Sequence, residues 1–502
     1  MEKPISLFVV TFLFFLLNQS RAIVGKYNVL ELGAKADGNT DSTESLLSAW
    51  AAACGSSKPS TILVPKGRFL VKRVQFSGPC KNKAINFRIQ GTLVAPSGHE
   101  ALGNAGYWLH FQNVDGVTIH GGILDARGAG LWACKAAGNG CSSGGATVCK
   151  IDQIVLHRLT LVASLPTANC FLGSSLVVTK QKQRNSLDLL DLFRYTKLFF
   201  VFFYFFFEPW GNAVVSEILR THLILGLNLT LDLNSRDSPG ARCMAYSFDL
   251  VCRLGTKTLG FTNSNNIAIT RLTSLNSQMY HLVFIGCNQV KLQKIKVLAA
   301  GNSPNTDGIH VQFSSGVSIL SSRISTGDDC VSIGPGTTNL WIENVFCGPG
   351  HGISIGSLAK DFEEEGVQNV TVKRVKFRNT QNGARIKSWG RPSKGFVKDV
   401  LFQHVTMINV QNPIVIDQNY CPSHINCPGQ VSGVKINDVT YRDVHGTSAT
   451  EVAVKFDCSE KYPCSGIRLE DVKLTYQNQK AKSSCANAAG TALGLLEPAS
   501  CL

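Results

Sequence analysis

Four short stretches in the second half of the chain carry residue types that do acid and base chemistry: Asn305-Thr306-Asp307, Gly327-Asp328-Asp329, Gly350-His351-Gly352 and Arg385-Ile386-Lys387. Asp307, Asp329 and His351 follow one another at intervals of 22 residues, and Asp328 adds a second carboxylate beside Asp329. Carboxylates crowded into one site repel, so one keeps its proton to a higher pH while a neighbour stays ionised, which supplies an acid and a base in one place. In an extended strand Arg385 and Lys387 face the same way and Ile386 faces the other. The pair offers a planar guanidinium and a point charge to a carboxylate. Gly350 and Gly352 permit unusual backbone angles or close ligand approach around His351. A single Asp in a β-rich chain commonly holds a turn through its own backbone bonds. Three of them converging with a Gly-flanked His and a cation pair point to a site.

What must position them is a repeat of the form apolar-x-apolar-x-x-apolar-x-apolar. Copies include Val290, Leu292, Ile295 and Val297; Leu340, Ile342, Val345 and Cys347; Val370, Val372, Val375 and Phe377; and Val400, Phe402, Val405 and Met407. Further copies start at Ile267, Val317, Val434 and Ile467, so successive starts lie 23 to 34 residues apart. Short alternating runs separated by Gly, Asn, Asp and Ser turns are strands. Such a period is one coil of a parallel β-solenoid, whose rungs stack because none buries its inward face alone. A spacing of about one coil then sets Asp307, Asp329 and His351 in a column. An antiparallel sandwich would need regular hairpin turns, and only scattered ones are present.

The chain has 502 residues, 44% of them hydrophobic, enough for a large core. Residues 1–22 read as a secretory signal: Lys3, an apolar run from Ile5 to Leu17, then Ser20-Arg21-Ala22. That run is too short to span a bilayer comfortably, so no stable membrane insertion is expected. Seventeen cysteines in a secreted chain suggest disulfides. The pairs expected are Cys54–Cys80, Cys134–Cys141, Cys330–Cys347, Cys421–Cys427, Cys458–Cys464 and Cys485–Cys501, with Cys287 left over as a buried thiol. No CxxC repeat or adjacent His at ligand spacing supports zinc. Asn369-Val370-Thr371 is a glycosylation acceptor. The net charge of +15 points to an anionic partner: acidic polysaccharide, nucleic acid or an anionic membrane surface.

The four stretches resemble, in order, the signature motifs of the polygalacturonases, pectin-acting glycoside hydrolases. Tyr27-Asn28-Val29, Gly33 to Gly38 and Leu131-Trp132-Ala133-Cys134 extend the likeness. The resemblance implies an all-β right-handed parallel β-helix that hydrolyses α-1,4-galacturonosyl linkages with inversion, without metal or cofactor. It implies Asp328 as general acid, Asp307 and Asp329 positioning and deprotonating the water, and His351 supporting the acid. It implies substrate binding by Asn305, Arg385, Lys387 and Tyr420. The partner expected is pectin or polygalacturonate in the cell wall, not nucleic acid, bound by a monomer. Glycoside hydrolysis needs a protonated acid at the leaving oxygen and a carboxylate that attacks or activates water, which is what crowded aspartates supply.

Coils of the helix are expected at 23–147 and 258–502. Between them, 148–257 lacks the coil pattern and holds an aromatic run from Leu198 to Phe207. A retained intron, a mispredicted exon and a genuine inserted domain are all open readings of it. Also open are a pectate lyase, which would need calcium and an Arg or Lys base, a non-catalytic wall-binding solenoid, and a form inactivated by the interruption.

Overall fold

The structure is a computed structural model, and it describes residues 25–98, 101–102, 106–137, 227–232, 245–250, 255–422 and 427–502. The chain divides into two compact units, 1–141 with 255–502, and 142–254. In the second unit the described residues form an antiparallel strand pair, Leu227–Asp232 with Ala245–Leu250. The expected signal at 1–22, Cys141, the aromatic run and Cys149, Cys170, Cys243 and Cys252 lie outside the described residues.

The first unit is the expected parallel solenoid. Each apolar-x-apolar-x-x-apolar-x-apolar copy bends at its central pair: the second residue of that pair lies in the left-handed region at Arg271, Lys294, Ser321, Asn344, Arg374, His404 and Asp471, with φ between 48° and 57°. The copy expected from Val434 is in register from Val439 instead, because Val439 and Val444 pair with Val400 and Val405, and Asp443 is its bend. A left-handed residue turns the chain by a fixed angle in every coil, at a steric cost that Asn and Asp reduce by bonding to their own backbone. The four apolar positions then point inward. Val290 pairs with Val317 and Leu292 with Ile319; Leu340 pairs with Val370, and Val345 with Val375. All of these are buried in one continuous core.

A second, eleven-stranded parallel sheet closes the coils on the other side; in order it contains Val74–Ser77, Tyr107–Gln112, Lys257–Thr262, Leu282–Ile285, Ile309–Gln312, Val331–Ile333, Ile353–Leu358, Asn382–Ser388, Asn412–Asp417, Val452–Asp457 and Lys482–Ala486. Its inward residues, such as Phe111, Phe261, Phe284, Val311, Ile333, Ile355 and Ile386, are buried. Lys257 already pairs with Tyr107 in this sheet. Coil structure therefore resumes slightly before the boundary expected at 257, because the backbone of Lys257 completes a rung. The sheet joins Tyr107–Gln112 directly to Lys257–Thr262 across the intervening sequence.

Among the described residues no coil precedes the first one. The helix Thr43–Gly55 lies against the earliest strands and buries Leu46, Ala49, Trp50 and Ala53; Trp50 meets Phe76, Phe87 and Phe111 at centroid distances of 5.3, 5.9 and 5.7 Å. Such aromatic packing supplies the apolar contact that a stacked coil gives elsewhere. Five of the expected disulfides are formed: Cys54–Cys80, Cys330–Cys347, Cys421–Cys427, Cys458–Cys464 and Cys485–Cys501. Cys134 is disulfide-bonded as well, and Cys287 is a buried free thiol.

Candidate active site

The eleven-stranded sheet brings the expected column together. Ile309 pairs with Val331 and Val331 with Ile353, which sets Asp307, Asp329 and His351 two residues before equivalent positions on consecutive rungs. The turns that carry them are bonded to one another: Gly308 N–H donates to the Asp329 carbonyl at 2.9 Å and His351 N–H to the Asp328 carbonyl at 2.7 Å. Rungs at the ordinary spacing of about 4.8 Å leave little room between the carboxylates. Cys330–Cys347 ties the turn holding Asp328 and Asp329 to the neighbouring coil. At Gly350 a side chain would come within 2.9 Å of the Asp328 carbonyl oxygen, and φ is +152°, so only glycine lets His351 approach.

The three aspartates stand in different surroundings. Asp329 is buried and accepts from Arg385 Nη2 at 2.7 Å, Lys387 Nζ at 2.8 Å and Ser354 Oγ at 2.7 Å. Burial alone would raise its pKa, but the charges of Lys387 and Arg385 and the bonds from Lys387 and Ser354 outweigh it and hold the carboxyl well below the usual range. Asp307 is equally buried, and burial followed by the charges of Asp328 and Asp329 pushes it well above the usual range. Burial and the neighbouring carboxylates therefore favour the protonated form of Asp307. Asp328 is half-buried. Its Oδ1 lies 3.1 Å from His351 Nδ1 and accepts from the Asp329 N–H at 2.8 Å.

Arg385 and Lys387 face the cleft, with Ile386 in the core, as the alternation predicts. Both cations are engaged by Asp329, reaching back over two rungs. Tyr420 is placed beside them: Lys387 Nζ is 5.1 Å from its ring centroid, and Trp389 meets it edge-on at 5.2 Å. Asn305 is exposed with φ +57°. It shapes the turn that delivers Asp307, and the structure does not bring its side chain into the cluster.

Three residues in contact with the cluster escaped the sequence reading. Ser354 bridges Arg385 Nε and Asp329 at 2.9 and 2.7 Å. Ser332 hydrogen-bonds Asp307 and meets His310 Nδ1 at 2.8 Å. Burial, with the charges of Lys360 and Lys257, pulls the His310 imidazole down to about 4, so it is neutral. All three occupy one outward position of the sheet, since His310 pairs with Ser332, Ser332 with Ser354 and Ser354 with Arg385. Each stands three residues after Asp307, Asp329 or His351, so the 22-residue interval of the column would have found them. Among the described residues one group could gather around a metal ion, Asp328, Asp329 and His351. Both Asp329 oxygens already accept from cations, which opposes a further positive charge there.

The sequence pattern of Glycosyl hydrolases family 28 matches residues 54–161 and 240–501, leaving 162–239 unmatched. The chain is 51% identical over 498 residues to a "Polygalacturonase" of Prunus persica, covering 99% of each. It is 32% identical over 477 residues to an "Exopolygalacturonase" of Platanus acerifolia, covering 94% of this chain and 97% of that one. Among solved structures it is similar to endo-xylogalacturonan hydrolase from Aspergillus tubingensis, with TM-score 0.62 and 17% identity, covering 94% of this chain and all of that one. At that identity the likeness speaks for the fold alone.

Proposed function

The chain belongs to Glycosyl hydrolases family 28, and from that premise we propose that its aspartate cluster hydrolyses the α-1,4-galacturonosyl linkages of polygalacturonate by a single displacement with inversion. It is a glycoside hydrolase of the polygalacturonase kind. The observation that carries the mechanism is geometric: Asp329 is clamped by Arg385 and Lys387, Asp307 stands on the adjacent rung, and Asp328 lies against His351.

Asp328 is the carboxyl open to the cleft and oriented by His351, so it is the group that a leaving oxygen can reach and the one assigned the acid role. Asp329 and Asp307, stacked on adjacent rungs, flank the position for the attacking water. The glycosidic oxygen takes the acid's proton as its bond to the anomeric carbon breaks, and the water yields its proton to the base carboxylate as the new bond forms. Arg385, Lys387 and Tyr420 receive the neighbouring uronate: a carboxylate arriving there exchanges with, or joins, Asp329 as partner of the cations. The burial of Asp307, which with the charges of Asp328 and Asp329 raises its pKa, supports a second reading in which Asp307 and Asp328 exchange roles. Residues 1–22 are read as a leader directing the chain to the cell wall; among the described residues no helix is long and apolar enough to cross a membrane.

A proton NMR time course on polygalacturonate in chelator, with ultraviolet absorbance in parallel, tests the reaction. New reducing ends are expected with inverted anomeric configuration and no absorbance growth. Retained configuration points to a covalent intermediate on one aspartate, and calcium-dependent absorbance growth points to elimination.

A further inference from the structure

Past its bend, each coil adds a strand of the larger sheet that leads toward the cleft turns, and on the coils holding the aspartates these strands carry a line of cations. Val297, Ile324, Cys347 and Phe377 are buried. Lys296, Arg323, Phe346 and Lys376 therefore alternate outward on the strands Lys296–Leu298, Arg323–Ser325, Thr338–Cys347 and Val367–Arg378. They form one column, Lys296 paired with Arg323, Arg323 with Phe346 and Phe346 with Lys376, at the ordinary rung spacing of about 4.8 Å. Arg378 extends it beyond Lys376, and Arg271 and Lys294 stand at the bends beside it. All of these cations are exposed. Among the described residues none of their side chains is in an ion pair or a hydrogen bond. The Arg323 guanidinium carbon lies 4.5 Å from the Phe346 ring centroid, a contact that leaves its N–H donors without an acceptor.

The acid beside this stretch is Glu343, and it is taken by Arg374 through Nε and Nη2. Further along the same column the later coils mix the signs. Thr406 and His445 follow Lys376, His445 lies 3.3 Å from Asp443, Arg442 is paired with Glu470, and Lys473 stands in register with Glu497. Charges spread for solubility alone are interspersed in that way. The coils from Arg271 to Arg378 instead align one sign along the solenoid axis, and such a field attracts an anionic partner. One outward side chain per rung makes a narrow line, which suits a single extended strand bearing a carboxylate on each unit. Leu298 is the exposed large apolar side chain on this face among the described residues, too little to enter a membrane.

We infer that this cationic line is a second binding face for a polyuronate strand, separate from the cleft, which holds the protein on acidic polysaccharide while the cleft works on another strand. The inference rests on the proposed function for the identity of the polymer. The aspartate cluster sits at the edge of the eleven-stranded sheet and the cationic column on the other sheet, so the two attachments use different side chains. Two attachments to one matrix raise the effective concentration of substrate at the cleft without any new contact in it.

The test follows retention of the full chain carrying Asp328→Asn, so that no turnover intervenes, on immobilised polygalacturonate across a salt gradient. Lys296→Gln, Arg323→Gln and Lys376→Gln are introduced together, and a control of equal charge change replaces the exposed Lys26, Lys58 and Lys66 by Gln. The column triple should bind on the order of tenfold more weakly and elute at lower salt, as for three exposed charge contacts screened by salt. Lys376→Gln alone should shift elution the same way by about twofold. The control triple should elute with the parent. With Asp328 intact, the column triple should keep the parent's Tm and hydrolyse short galacturonate oligomers at the parent's rate. Equal elution of the column triple and the parent overturns the face, and so does an equal shift in both triples, because net charge alone would then suffice. Retention on immobilised duplex DNA that depends on the same three cations and that polygalacturonate does not compete would give the face to nucleic acid and overturn the polysaccharide. Failure of the proposed reaction reads differently. Column-dependent retention without hydrolysis by the parent chain removes the activity and leaves the face, whereas hydrolysis without column-dependent retention removes the face alone.

Discussion

On the turn side of the coils Asp399, Asp438, Asp443 and Asp471 take left-handed φ of 50° to 55° and stand exposed or half-exposed. Their carboxylates serve the backbone and neighbouring turns: Asp471 Oδ1 accepts from the Leu495 N–H at 3.0 Å, and Asp443 Oδ2 lies 2.7 Å from His404 Nδ1. On the cleft side Asp307, Asp328 and Asp329 lie outside that left-handed set, and Asp307 and Asp329 are buried. One residue type in one repeat thus does two jobs. At the turns it relieves a backbone cost that recurs in every coil, whereas in the cleft water is excluded and like charges stack on consecutive rungs, so protonation becomes the variable. Sign of φ together with burial separates the two groups where residue type cannot.

The comparison breaks first, and by the largest margin, in activity. Asp328→Asn should lower turnover of polygalacturonate by about 10²- to 10⁴-fold, the usual worth of a positioned acid, while Asp438→Asn stays within about twofold because an amide suits the same turn. Steady-state kinetics should also show Asp328→Asn recovering on an aryl galacturonide whose leaving group needs no proton. Recovery by Asp307→Asn in its place would exchange the two roles, and a large loss in Asp438→Asn would abolish the distinction itself.

Stability gives the next effect. Asp329→Asn leaves Arg385 and Lys387 buried without their counter-charge and should cost about 3–5 kcal/mol in urea unfolding, against about 0.5 kcal/mol or less for Asp471→Asn. Because the folded pKa of Asp329 is depressed, its contribution is present above the unfolded value of about 3.9 and is lost as pH falls through the folded one. The difference between parent and variant should therefore shrink in acid. Equal costs for the two substitutions would mean that the cation pair is satisfied by something other than Asp329.

The smallest effect has the opposite sign. The raised pKa of Asp307 means that its stability contribution is full below about pH 3.9 and is lost as pH rises toward the folded value. Asp307→Asn removes the titration, so it should raise Tm at neutral pH by on the order of 1–2 °C and leave it unchanged near pH 3. A fall in Tm at neutral pH would show that Asp307 is held ionised there.

Much of this architecture is legible in the residues. The apolar spacing states the coil length, since only a chain that stacks rungs can bury Val290, Val317, Leu340 and Val370 in one line. The interval of 22 places Asp307, Asp329 and His351 in register because strand pairing counts residues. Close cysteine pairs such as Cys458 and Cys464 close locally for the same reason. The turn at Asn305 was less legible, because its left-handed φ belongs to the folded backbone and not to the residue type.

Sequence by itself determined the solenoid, the face on which the acidic column lies and the direction in which Arg385 and Lys387 point, since all three follow from periods counted along the chain. Only the tertiary structure decided which aspartate the cations engage, which one burial and like charge push toward its protonated form, and that Tyr107 lies over Gly260 beneath Lys257. Those outcomes depend on side chains that reach across rungs and on how much water burial removes. Coulomb energy and desolvation vary with distance and enclosure in space, which a one-dimensional spacing does not contain.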